Sequence, residues 1–264
     1  MRVLSAAPTD EELSAAEHRL YRVHDGALAC SAAEWAGMAR REIADIQTNG
    51  RTPILVGGTG LYLRTLLDGI APVPTIEAGV RASVRNAAVE ENRAKLQALD
   101  PQAAARLGPN DSARISRALE VVLSTGRTLA EWQTQREGGI ADHVELHVLI
   151  LLPPRKWLYA RCNERFARMI DSGAVAEVEA LLARKLNPDL PVMRAIGVRE
   201  LSAYLLGQTS LDDAVTAGQQ ATRRYAKRQY TWFAHQPPPD WPRFREPLDL
   251  DSLGDALALL RPKG

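Results

Sequence analysis

Acidic residues are missing from one long stretch of this chain. None lies between Asp213 and Asp240, where Arg223, Arg224, Lys227 and Arg228 alternate with Tyr225, Tyr230, Trp232 and Phe233. Cysteine is scarce as well: Cys30 and Cys162 stand far apart with no CxxC or Cys/His cluster, which argues against a zinc site and fits unpaired thiols in a reducing compartment. No uncharged apolar run approaches the roughly 18 residues that span a bilayer. The N-terminus lacks the charged-then-apolar layout of a signal peptide, so a cytoplasmic protein with no membrane partner is expected. There is no Gly-Lys dipeptide in these residues, which excludes the phosphate loop GxxxxGK[ST] from them. Repeats and low-complexity tracts are absent too.

The 264 residues, 45 % of them apolar, suffice for one larger core or two smaller ones. Net charge is only +1, so a nucleic-acid surface has to arise from local segregation of charge. Ser31 and Glu34 form a capping box ahead of Trp35, Met38, Ala39, Ile43 and Ile46, whose helical spacing runs to Asn49-Gly50. Thr52 to Val56 then predicts a buried strand ending in Gly57-Gly58-Thr59-Gly60, followed by a helix over Leu61 to Leu67. Helix, strand, glycine turn and helix is the grammar of a parallel α/β sheet, where ligands bind after a strand's carboxyl end.

Residues 72–143 read as a mostly helical insertion between 1–71 and 144–264, the two parts of an α/β core. A second strand is expected at Leu146 to Leu152, long helices from Lys156 to Lys185 and Arg199 to Leu206, a short strand within Trp241 to Arg245, and a terminal helix from Asp249 to Leu260.

Five segments bear on function. In the acid-free stretch, Arg224, Arg228 and Thr231 share one helical face and Tyr225, Gln229 and Trp232 another. Cations neutralise phosphates and aromatic faces accept unstacked bases at roughly 1–3 kcal/mol each, although a basic amphipathic helix with core aromatics has the same pattern. The glycine turn fails GxGxxG, because Leu63 stands where the third glycine belongs. Asn110-Asp111 opens a helix with Arg114 and Arg117 one turn apart and Ile115, Leu119 and Val122 opposite; the ordinary alternative is a surface helix with Arg117 paired to Glu120. Arg194-Ala-Ile-Gly-Val-Arg199 sets two arginines around a helix start, where free N–H groups attract phosphate, or is a plain loop-to-helix junction. Arg155, Arg161 and Arg165 face either solvent or an anion.

Pro53 to Tyr62, Asn110-Asp111 with Arg114 and Arg117 to Val121, Arg194 to Gly197, and Tyr225 to Gln229 with Thr231-Trp232 together resemble the bacterial tRNA dimethylallyltransferases. The resemblance implies a P-loop-NTPase-like α/β core with a helical insertion, the two enclosing a tRNA anticodon stem-loop. The implied reaction moves a dimethylallyl group from dimethylallyl diphosphate to N6 of the adenosine 3′-adjacent to the anticodon, with Mg²⁺ as cofactor and a monomer as the working form. By position, Thr59, with Gly58 and Gly60, would meet the extruded nucleotide and Arg155 the diphosphate. Arg81, the stretch Ala113, Arg114, Ile115, Ser116 and Arg117, then Arg194, Gly197 and Arg199, and finally Lys227, Arg228, Gln229, Thr231 and Trp232 would line the tRNA path.

Ala234 and Val198 depart from residues that many members carry, and one departure is larger. The family's opening strand, its glycine-lysine loop and the Asp-Ser segment holding the proposed general base have no counterpart here, and Met1 aligns with an internal methionine. The expectations are an internal start, exposed apolar surface beside the missing strand, and no catalytic residue or transferase activity in these residues alone. The alternatives are a catalytically dead tRNA-binding remnant and a prenyltransferase acting on free adenine nucleotides.

Overall fold

A computed structural model describes residues 1–260. In chain order it contains α1 (Asp10–Ala15), α2 (Ala32–Thr48), α3 (Gly60–Asp68), α4 (Ala78–Asn86), α5 (Val89–Leu99), α6 (Pro101–Arg106), α7 (Ser112–Thr125) and α8 (Leu129–Gln133). There follow β1 (Ile150–Leu151), α9 (Arg155–Asp171), α10 (Ala174–Ala183), α11 (Val198–Leu205), α12 (Leu211–His235), β2 (Arg243–Phe244) and α13 (Leu253–Ala258). Two compact units result, residues 1–63 with 145–264 and residues 64–144, so the division falls inside α3.

In the first unit β1 and β2 pair in parallel, Ile150 opposite Arg243 and Leu151 opposite Phe244. The Leu152 N–H extends the ladder to the Phe244 carbonyl at 2.7 Å. Helices α9 and α12 pack along each other, and Gly218 of α12 makes room for the Phe166 ring of α9, which an added Cβ would meet at 2.1 Å. Ala174, Val178 and Leu181 of α10 bury against Val198 and Leu201 of α11 and Ala214 of α12, with Met1, Val3 and Leu4 laid over them.

Local signals place several boundaries. Ser31 and Glu34 exchange both bonds of the capping box that opens α2 (3.1 and 2.7 Å), which ends before Asn49-Gly50. The helix expected from Lys156 to Lys185 is two helices, because Gly173 adopts φ +95°, a conformation other residues rarely take. The terminal helix is shorter than expected and begins after Ser252, whose N–H is held by Asp249.

The strand expected at Thr52 to Val56 does not form. The run from Arg51 to Thr59 is irregular, and Ile54 and Val56 are 85 % and 78 % exposed. A strand is stable only where a neighbour takes its backbone groups, and β1 pairs with β2 while this run pairs with neither. Similarly, only Ile150–Leu151 of the run from Leu146, and Arg243–Phe244 of the run from Trp241, pair as strand residues, with one further bond from the Leu152 N–H.

The second unit is helical. Val84, Leu96, Ala103, Ala104, Ile115, Ala118, Leu119 and Val122 form its core, and an isolated bridge joins Ile70 to Glu137.

Candidate nucleic-acid interface

The acid-free stretch of α12, which follows Asp213, seats one face on the glycine turn. The Tyr225 and Thr59 hydroxyls are 3.2 Å apart, and the Gln229 amide donates to the Gly58 carbonyl at 2.8 Å. Gly60 faces the Trp232 indole so closely that a Cβ would stand 2.3 Å from its ring, and one on Gly58 would stand 2.3 Å from Gln229. These two glycines serve the approach of a helix, not a left-handed backbone. Behind the turn, the Tyr62 hydroxyl donates to the Cys30 carbonyl at 3.1 Å and its ring lies 5.4 Å from that of Trp35. Burial pushes the Tyr62 phenol above its usual range, and Cys30 and Tyr225 add to the effect.

The other face stays open. Lys227, Arg228 and Thr231 are exposed; the Arg228 guanidinium rests 5.4 Å over the Tyr225 ring, and the Thr231 hydroxyl donates to the Lys227 carbonyl. Arg155, the first residue of α9, lies 5.0 Å over the Tyr230 ring, an arrangement that holds a guanidinium in place without neutralising it.

The Arg194 motif is a helix junction whose charges are partly answered. Arg194 pairs with Asp189, Gly197 takes φ +92° beneath Leu4, and the Gly197 N–H goes to the Glu200 carboxylate at 2.9 Å. That N–H is therefore not open to phosphate, which at this atom favours the plain loop-to-helix junction; Arg199 remains exposed.

Residues 1–236 match the IPP transferase family. The chain belongs to that family. A tRNA dimethylallyltransferase of Erythrobacter litoralis is 60 % identical over 243 residues, covering 92 % of this chain and 77 % of the relative. One from Sphingopyxis alaskensis is 58 % identical over 261 residues, covering 99 % and 85 %. The crystal structure of the full-length tRNA isopentenylpyrophosphate transferase of Bacillus halodurans superposes with a TM-score of 0.66 at 30 % identity, covering 98 % of this chain and 84 % of that one. The α/β core with a helical insertion is thus the architecture of this transferase family.

The remaining candidates of this IPP transferase lie in its helical unit. Arg81 on α4 and Ala113, Arg114 and Arg117 on α7 are exposed, and Ser116 is partly so. Ile115 is fully buried; its side chain is core, which removes it from any RNA-facing surface. Arg114 pairs with Asp111 at 3.0 Å. Glu120, 2 % exposed, pairs with Arg85 at 3.0 Å and not with Arg117. Loss of water around the Arg117 guanidinium lowers it below its ordinary range; Glu120 opposes this, while Arg81 and Arg85 reinforce it. A cleft of about 380 Å³ opens between α5 and α7, lined by Arg85, Asn92, Arg117 and Glu120 among others. Arg85, Asn92, Trp35 and Cys30 escaped the sequence reading as site residues, since nothing local distinguishes them from surface or core positions.

Among the described residues no three His, Cys, Asp or Glu side chains cluster to hold a metal, so the protein groups on view do not form a Mg²⁺ cage. Likewise no described helix is long and apolar enough to cross a membrane.

Proposed function

We propose that this protein holds the anticodon stem-loop of tRNA for transfer of a dimethylallyl group from dimethylallyl diphosphate to N6 of the adenosine 3′-adjacent to the anticodon. The seating of Tyr225, Gln229 and Trp232 on the glycine turn carries this reading, because it leaves Lys227 and Arg228 exposed, with Arg228 over the ring of the Tyr225 that meets Thr59. In that position cations meet phosphates while Thr59, at the end of the turn, meets an extruded base. Family membership supports the same conclusion, as do the names of the relatives.

The chemistry sets the remaining roles. The N6 lone pair is delocalised into the ring, so a carboxylate must take the N6 proton as the N6–C1 bond forms. As the C1–O bond breaks, charge develops on the diphosphate, and Arg155, whose guanidinium rests over the Tyr230 ring, would receive it. Mg²⁺ keeps most of its waters and binds through substrate phosphates with few protein ligands, so it would escort the diphosphate without a protein cage. The setting is cytoplasmic and the working form a monomer.

Residues 1–264 taken alone should bind tRNA without turning it over, since they contain no Gly-Lys loop and no counterpart of the aspartate expected as base. Multiple turnovers by this polypeptide with dimethylallyl diphosphate and unmodified tRNA would contradict that. Binding is tested by Arg228→Ala, which should weaken tRNA affinity and lower the slope of log K against log salt by about one unit. An unchanged slope removes Arg228 from the interface. Displacement of tRNA by AMP as acceptor would instead favour the free-nucleotide reading.

A further inference from the structure

The cleft of the helical unit has a chemical lining that surface packing does not require. Asn92 is 2 % exposed and its amide nitrogen donates to the Val84 carbonyl at 2.7 Å. A carbonyl only accepts, so the amide cannot be flipped, and Oδ1 is left as a buried acceptor with no partner. Glu120 offers a second, buried acceptor in the same cleft. Arg85 and Arg117 line it too, and Arg81 is near enough to influence Arg117. Arg85 is answered by Glu120, while neither Arg117 nor Arg81 has an ion-pair partner among the described residues. The demand is therefore for an anion that also brings N–H donors. Inorganic phosphate meets the cations but brings no N–H donor to Asn92, and an apolar ligand answers neither.

We propose that this cleft is a second nucleotide pocket, which takes one loop nucleotide other than the acceptor adenosine, its phosphate toward Arg117 and its amino-bearing base edge toward Asn92 and Glu120. The proposal rests on the tRNA reading above. At about 380 Å³ the cleft falls within the roughly 300–1,000 Å³ of small-ligand sites, and splayed single-stranded bases read on their edges are how proteins recognise RNA sequence. An adenine, guanine or cytosine provides the amino group; uracil does not.

The test uses the full chain and a synthetic anticodon stem-loop in which each loop nucleotide is replaced in turn by an abasic residue. Ala113 is exposed at the cleft's edge, so Ala113→Trp blocks the cleft without entering the core, and Ser112→Trp provides an independent block. The wild type should lose about tenfold in affinity at one position besides the acceptor adenosine, in keeping with the worth of a bound base. Each blocked variant should bind the intact loop about tenfold more weakly and show no further loss at that position, as coupled changes do. Blocked variants that bind like the wild type, or that keep the full abasic penalty, overturn the pocket. If that happens while Arg228→Ala still weakens binding, the pocket alone falls; a wild type that does not bind the stem-loop takes both readings with it.

Discussion

At Gly60 a single hydrogen in place of a methyl group decides whether α12 can close on the turn. A Cβ there would stand 2.3 Å from the Trp232 ring, and an indole in a packed setting has little freedom to retreat. Gly60→Ala should therefore cost about 1–3 kcal/mol, seen as a lower urea midpoint. A midpoint equal to wild type would mean that the ring moves aside freely. Gly57-Gly58-Thr59-Gly60 was legible as a turn, but its reason was not. Sequence pattern suggested a ligand, whereas part of the answer is a helix side chain 171 residues away, Gln229 on the Gly58 carbonyl. Ile115 illustrates the converse, for its apolar periodicity already placed it opposite Arg114 and Arg117, and it is buried. Sequence proximity offers Arg117 as an alternative partner for Glu120, yet the structure gives it Arg85, 35 residues upstream, because α4 packs against α7.

Whole elements divide in the same way. The capping box of α2 and the apolar face of α7 are local properties, set by spacings of three and four residues, and both are present. The docking of residues 2–4 on α10 is not local. Glu177 accepts the Val3 and Leu4 N–H groups at 3.0 and 2.9 Å and that of Arg2 as well. Burial pushes the Glu177 carboxyl up, but the three donors together with the terminal ammonium outweigh it and hold it below the usual glutamate range. A depressed carboxylate contributes stability above its unfolded pKa of about 4.3 and loses it as pH falls through the folded value. The stability gap between wild type and Glu177→Gln should thus be widest near neutrality and shrink with acidification, measured by urea unfolding at several pH values. A gap that is flat with pH would show that the carboxylate charge contributes nothing there. Since Leu4 lies against Gly197, this contact also fixes the junction that carries Arg194 and Arg199.

For the molecule as a whole, the consequential feature is apolar surface left open. Ile54, Leu55 and Val56 are exposed, and Leu151 of β1 is 47 % exposed, which together present strand-forming sequence with unpaired backbone groups. This polypeptide should aggregate on warming, and Ile54→Lys with Val56→Lys should raise the onset temperature in light scattering. An unaltered onset would place the aggregating surface elsewhere.

The amino-acid sequence by itself determined the helix starts, the polar and apolar faces of α7 and α12, and the family, because these depend on residues close together in the chain or on motifs in fixed order. Only tertiary structure decided that the face of Tyr225, Gln229 and Trp232 belongs to the glycine turn, that Asn92 keeps an unanswered acceptor in a cationic cleft, and that Thr52 to Val56 remains irregular. Each of these depends on what another part of the chain brings to the same place, and a strand, a close-packed glycine or a buried amide has no meaning without that neighbour.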